Sequence, residues 1–244
     1  MAQFKKGRDE RLPLYQQVRD EIMDNIREGV WLPDTTIPTE AELTKRYDVA
    51  IGTIRKAVDT LVADGLLYRS QGRGTFVKRP NFNDSLFRFF RQTSLDNQRV
   101  PEGRVQSNNV LPLPEAAAVA LNLKVGELAI HLRRTRVLDS RVVLAEEIWL
   151  PRHLFKSLEQ MPTESFENLL YPFYEKECGQ LVASATETLT IETAGVDVAR
   201  ALEIRATSPV AVIERVAYGY DKSPLEYRVS KGSAETFRYQ VEIS

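Results

Sequence analysis

Apolar residues recur along the chain with two periods, and the change of period predicts its elements. Tyr15, Val18, Ile22 and Ile26 fall three and four apart, so a helix over 14–28 would carry them on one face. Gly29 ends it, with Pro33 just beyond. Thr39 reads as the N-cap of a second helix, and Glu42, three residues on, completes a capping box. Leu43 and Tyr47 then face inward. A third helix over about 52–64 turns Ile54, Ala57, Val58 and Leu61 inward and Arg55 and Lys56 outward. Gly65 suits the residue just past its end. The period then falls to two over 66–69 and 75–78. Gln71-Gly72-Arg73-Gly74 joins these strands, because glycine supplies the positive φ of a tight hairpin. Three helices followed by a hairpin predict a winged helix-turn-helix.

Beyond Glu102 the two-residue period dominates. Strands are expected over 105–111, 128–138, 142–150, 181–191, 210–220, 225–230 and 237–243, with helices over 114–121, 166–176 and 194–202. Asp139-Ser140-Arg141 and Asp221-Lys222-Ser223-Pro224 read as hairpin turns. Many antiparallel strands with interposed helices make an α+β domain. The stretch 80–100 is rich in turn residues but holds Phe82, Phe87, Phe89 and Phe90, so part of it should pack. The expected organisation is residues 1–79 as a winged helix-turn-helix domain, 80–100 as linker and entry segment, and 101–244 as a second domain.

Composition narrows the partners. The formal net charge is -1, so total charge gives no argument for nucleic acid. Residues 40–79 hold eight Lys/Arg against five Asp/Glu, a local net of +3. The single cysteine, Cys178, excludes an internal disulfide and fits a reducing compartment. The N-terminus carries no apolar signal region, and no apolar run nears the ~20 residues of a membrane helix. A cytoplasmic protein with no membrane partner is expected.

In a helix-turn-helix the second helix enters the major groove and offers its N-terminal side chains to base edges. Arg55 can donate two hydrogen bonds to guanine O6 and N7, so it is the first candidate for base readout. Thr39 and Thr53 stand at helix starts, which suit phosphate oxygens. Lys45, Arg46 and Lys56 add possible phosphate contacts. Arg73, between Gly72 and Gly74 at the wing tip, is free to reach a minor groove or the backbone. Singly, each of these is more often a solvated charge or an ordinary turn; their order and spacing together point to DNA.

These residues carry a resemblance. Tyr15 to Val77 resembles the DNA-binding domain of the GntR family of bacterial transcription regulators. Pro38-Thr39-Glu40-Ala41-Glu42-Leu43 is similar to its Pro-Ser-Glu-Arg-Glu-Leu signature, and Val49 to Ala57 to its Val-Ser-Arg-Thr-Thr-Val-Arg-Gln-Ala. Gln71 to Val77 matches its wing. Ala41 and Ile51 stand where the family often has DNA-contacting arginines, so readout should lean on Arg55, the wing and DNA shape.

The second domain resembles the HutC-like branch with a UTRA domain, whose fold is similar to chorismate lyase. The likeness rests on Arg134 to Asp139, on Glu146-Glu147-Ile148-Trp149-Leu150-Pro151 and on Ser223-Pro224-Leu225-Glu226-Tyr227. The branch often continues with Tyr-Arg-Gly-Asp, whereas this chain has Lys231 to Glu235. Arg134 and Arg136 share a strand face, and Glu146 lies on the adjoining strand. With Glu226 they could hold a small polar ligand by charge-assisted hydrogen bonds. Arg91 and Arg104 lie in segments that resemble the branch's ligand loops. Left to themselves, these charges read as surface ion pairs.

The resemblance implies a ligand-controlled regulator, by expectation a repressor that binds palindromic operator DNA as a homodimer and releases it when a small-molecule effector binds. No cofactor and no metal are expected. An enzyme with a lyase-like domain is the alternative, with Glu146 and Glu226 as acid and base. Against it, the chain has no Ser-His-Asp order, no metal-ligand cluster and no phosphate-cradling glycine loop. An architectural DNA binder without a ligand is a third class.

Overall fold

The structure is a computed structural model that describes residues 11–79 and 101–237. These fall into two compact units, taken in turn.

The first holds α1 (Leu14–Arg27), α2 (Glu40–Tyr47), α3 (Ile51–Ala63), β1 (Leu67–Ser70) and β2 (Gly74–Val77). Its core is the stripe that periodicity selects: Val18, Ile22, Ile26, Leu43, Tyr47, Ile54, Ala57, Val58 and Leu61 are all fully buried. α2 starts on the capping box and ends at Asp48, whose φ of 53° breaks the helix and turns the chain into α3. α3 begins at Ile51, one residue before the expected start, and ends at Asp64 and Gly65, whose φ is 72°. Ser70 pairs with Gly74, so residues 71–73 form the wing tip. The sequence reading misses a third rung of the wing. Thr36 bridges Phe76, with Ile37 N–H donating to Thr75 O at 2.9 Å and Val77 N–H to Thr35 O at 3.0 Å. That stretch lies between Pro33 and Pro38, which mask its extended character.

The second unit is a six-stranded sheet of β3 (Glu102–Pro112), β4 (Leu128–Leu138), β5 (Arg141–Pro151), β6 (Ser184–Thr193), β7 (Pro209–Tyr218) and β8 (Pro224–Ser233). It is antiparallel throughout, in the order β3-β4-β5-β8-β7-β6. Three helices accompany it: α4 (Glu115–Leu121), α5 (Leu170–Cys178) and α6 (Gly195–Leu202). One face carries Ile130, Leu132, Ile148 and Leu150, covered by Phe155, Leu158, Phe173 and Tyr174. On the other, Ala117, Ala118 and Leu121 of α4 pack on Trp149 and Tyr227, and Ala199 and Leu202 of α6 on Val210 and Val212.

The helix expected over 166–176 begins later, at Leu170. Residues 163–165 form a 3-10 turn and Phe166 is extended, with ψ 130°, burying its ring in the core. The β4–β5 turn is the pair Asp139 and Ser140, at φ 47° and 63°. This left-handed pair fits the strand twist without a glycine. The two edges of the sheet differ. β3 has a bulge between Val105 and Ser107, whereas β6 pairs with β7 in unbroken register and exposes Leu189 and Ile191. Phe237 ends the described residues outside any strand; the rest of the strand expected over 237–243, and the segment 80–100 with Arg91 and its phenylalanines, lie outside them.

Candidate nucleic-acid interface and buried arginine cluster

At the start of α3, Ile51, Gly52, Arg55 and Lys56 are exposed and Thr53 is half-buried. Arg55 is held from below. Its Nε donates to Glu40 Oε2 at 2.8 Å, while Arg69 Nη2 of β1 donates to Glu40 Oε1 at 3.2 Å. Arg69 Nη1 also pairs with Asp59 Oδ1 at 2.6 Å. One carboxylate at the head of α2 therefore spans an arginine of α3 and one of the wing. Neither Glu40 nor Arg69 was singled out by motif, since the contact needs the hairpin folded against the helices.

Thr39 is committed to its helix. Its hydroxyl donates to Glu42 Oε2 at 2.7 Å and accepts from Glu42 N–H at 3.3 Å, and its own N–H donates to Glu42 Oε2 at 2.8 Å. Hydrogen bonds from the Thr39 hydroxyl and N–H hold the Glu42 carboxyl below its usual pKa. Lys45 is exposed. Arg46 lies 5.6 Å from the Trp31 ring centroid with Nη2 3.5 Å from Asn25 Oδ1, and Lys56 Nζ lies 4.0 Å from the Tyr15 centroid. These two cations rest on aromatic rings of the α1 region, which fixes them by cation–π attraction. Arg73 lies 5.5 Å from the Phe76 ring, which stacks on Tyr68 at 5.3 Å. Gly72 (φ 73°) and Gly74 (φ 115°) supply the backbone that the wing tip needs.

In the second unit Arg134, Arg136, Glu146 and Glu226 come together, all at most 3% exposed. Glu146 Oε2 lies 3.7 Å from Arg134 Nη1 and 3.5 Å from Arg136 Nε. Its Oε1 lies 3.6 Å from Arg228 Nη1 and accepts from Ser230 Oγ at 3.2 Å. Glu226 accepts from Arg228 Nη2 at 2.7 Å, Tyr174 at 2.8 Å and Tyr171 at 3.1 Å. Arg215 donates to Glu187 through Nε at 2.6 Å and to Tyr171 at 3.3 Å. Arg134 Nη2 donates to Asn168 O, and Arg136 Nη1 reaches Pro101 O at 3.2 Å.

Four arginines thus meet three carboxylates, an excess of one positive charge. Burial alone would raise the Glu146 pKa, but Arg228, Arg134, Arg136 and Arg215 outweigh it and lower it to about 2. Burial pulls Arg136 down to about 10, still protonated at neutral pH. Arg134 Nε and Nη1, Arg136 Nε and Arg228 Nε are buried without a hydrogen-bond partner. Guanidinium N–H groups left so are costly, and an anionic oxygen would satisfy them.

Arg104 is not part of the cluster. It pairs with Thr135 rather than Arg134, which puts it on the other side of β3, where it is exposed and bound to Glu102 at 2.9 Å. Six members were not anticipated: Arg228, Arg215, Glu187, Ser230, Tyr171 and Tyr174. Arg228 follows Glu226 by two on a strand, a signal open to sequence reading. Arg215, Tyr171 and Tyr174 reach the cluster only through the β7–β8 register and the docking of α5.

Among the described residues no helix is long and apolar enough to cross a membrane, and no three His, Cys, Asp or Glu are grouped to hold a metal ion.

Comparison with known proteins adds the family. The profile of bacterial regulatory proteins of the gntR family matches residues 14–77, and that of the UTRA domain residues 96–238. A protein of Escherichia coli K12 named "Probable fructoselysine utilization operon transcriptional repressor" is 29% identical over 216 residues, 87% of each chain. The HTH-type transcriptional repressor NagR of Bacillus subtilis is 25% identical over 95% of this chain and 96% of its own. The ligand-binding domain of a GntR-family regulator from Bordetella bronchiseptica superposes with TM-score 0.57 at 25% identity, over 64% of this chain and 98% of that one. YydK of Bacillus subtilis shares the fold over 96% of this chain and all of its own, with TM-score 0.55 and 19% identity. The relatives are named as repressors, which leaves the lyase-like enzyme reading without support. The chain belongs to the GntR family of bacterial regulatory proteins and carries a UTRA domain behind its DNA-binding helices.

Proposed function

We propose that this DNA-binding regulator is a repressor that leaves its operator when an anionic sugar derivative enters the buried arginine cluster. The observation that carries this is the cluster itself, with one excess positive charge and buried guanidinium N–H groups that make no hydrogen bond. The names of the relatives support a sugar derivative: one is a probable fructoselysine utilization operon repressor, and another is the mannosyl-D-glycerate system repressor MngR, 26% identical over 95% of this chain, whose named compound is a sugar carboxylate. In this reading residues 1–79 bind DNA, 80–100 connect, and 101–244 hold the effector. Arg134, Arg136, Glu146 and Glu226 contact the ligand, Arg228 and Arg215 complete the charge, and Arg55 reads a base.

The protein works in the cytoplasm as a homodimer on a palindromic site, since two recognition helices on a two-fold axis match two half-sites. Effector binding acts through its differential affinity for the DNA-competent and DNA-incompetent states. The test is operator binding by the purified chain, with and without a panel of sugar phosphates, sugar carboxylates and their neutral parent sugars. Release by an anionic member and not by its parent sugar supports the reading, as does loss of that release in Arg136→Lys, which keeps charge but not the planar fork. Release by the neutral sugar alone overturns it.

A further inference from the structure

The strands that carry the buried arginines present a second concavity on the opposite face of the sheet. Side chains alternate along a strand, so β4 turns Arg134 and Arg136 one way and Arg133 and Thr135 the other. β5 likewise turns Glu146 to the cluster and Ala145 and Glu147 away. On that second face a cavity of about 530 Å³ lies beside α6. Ala145, Val212 and Val229 give it an apolar floor, and Val198 and Ala201 of α6 an apolar wall. The volume falls in the roughly 300–1,000 Å³ range of small-molecule sites.

Its charge is opposite in sign to that of the arginine cluster. Arg134 and Glu146 also border it, but their side chains turn to the other face; of the side chains on this face four are carboxylates, of Glu147, Glu192, Asp197 and Glu214, against the two cations Arg133 and Lys231, a net of -2. Three of the carboxylates have a cationic neighbour. Glu192 bonds Lys231 Nζ at 2.8 Å, Glu147 lies 4.0 Å from Arg133 Nε, and Asp197 lies 3.8 Å from Arg200. Glu214 differs: its contact is the Tyr227 hydroxyl, which donates at 3.3 Å. Burial, and Glu214 itself, push that phenol up to about 12, so it stays neutral and offsets none of the charge.

We propose that this cavity is a second ligand site, selective for a short aliphatic amine or diamine whose ammonium pairs with Glu214 and whose hydrocarbon body lies on Val229 and Val198. It differs from the anion site in ligand charge and in sheet face, shares Arg134 and Glu146 with it as bordering residues, and does not depend on that site being correctly assigned.

The test is calorimetric titration of the full chain with 1,5-diaminopentane and with the neutral pentane-1,5-diol. The expected result is saturable binding of the diamine, one per chain, and binding of the diol weaker by about tenfold or more. Glu214→Gln should bring the diamine down to the level of the diol, and Val198→Trp, which fills the cavity, should abolish binding. Glu164→Gln, an exposed carboxylate elsewhere, should bind like wild type. Absence of saturation in wild type overturns the proposal, and so does an equal loss in Glu214→Gln and Glu164→Gln, which marks diffuse attraction. Glu214 is exposed, so its variant decides the matter even where Val198→Trp misfolds.

Discussion

Gly103 and Arg134 fit together only because residue 103 has no side chain. A Cβ there would fall inside the contact radius of the Arg134 guanidinium, while the Gly103 N–H donates to Asn168 Oδ1 at 2.6 Å. The glycine is needed for space, since its φ is not in the left-handed region. Gly103→Ala should therefore displace the guanidinium and weaken effector binding by about 1.5–3 kcal/mol, the worth of a hydrogen bond to a charged group. Operator affinity without effector should stay at the wild-type value. Fluorescence anisotropy on labelled operator, with and without effector, reads both quantities.

Glu40 holds Arg55 and Arg69 at once. Glu40→Gln keeps the shape but loosens Arg55, leaves Arg69 on Asp59 alone, and removes a negative charge beside DNA. Affinity for a scrambled duplex should rise, affinity for the operator should not, and the ratio between them should fall. Gel shifts on the two duplexes test this; an unchanged ratio means that Glu40 does not orient the reading residue.

Ile51 opens α3 and is 45% exposed. An apolar side chain there neutralises no phosphate. Ile51→Arg should steepen the dependence of log affinity on log salt by about one unit. A salt series with superimposable slopes would place residue 51 off the DNA.

The Glu146 carboxyl titrates at about 2 in the fold against 4.5 for an ordinary glutamate. A depressed carboxylate stabilises the fold above its unfolded pKa, and that contribution is lost as pH falls through the folded pKa. The contribution, on the order of 3 kcal/mol, is thus full above pH 4.5 and fades between 4.5 and 2. Glu146→Gln should cost about 3–5 kcal/mol at pH 7, because Arg134, Arg136 and Arg228 lose the counter-charge they share. The gap between wild type and variant should close over that acid window. Denaturant unfolding followed by the emission of the buried Trp149 measures it.

The helical unit was legible in the sequence because its signals are local. The stripe from Val18 to Leu61, the Thr39–Glu42 box and Gly72 each act within a few residues of themselves. The pairing of Arg134 and Arg136 with Glu146 was legible for the same reason, since one hairpin places them opposite each other. Arg215 and Tyr171 were hidden because they reach the cluster from β7 and α5, through contacts that span 44 to 55 residues. Arg104 shows the limit of position along a strand: one residue decides which face a side chain takes.

The β5–β8 pairing carries a consequence for the order of folding. Glu146 meets Ser230 and Ile148 meets Arg228, more than seventy residues apart by their numbering, so this seam closes the longest loop in the sheet. Pairings that distant form late, after local helices and hairpins. The helices that grip DNA come first in the chain and are held by near neighbours. During synthesis, domains fold in the order in which they emerge. A ribosome-bound chain therefore completes its DNA-binding helices before its effector cluster, and the cluster can assemble only once Arg228 of β8 has emerged.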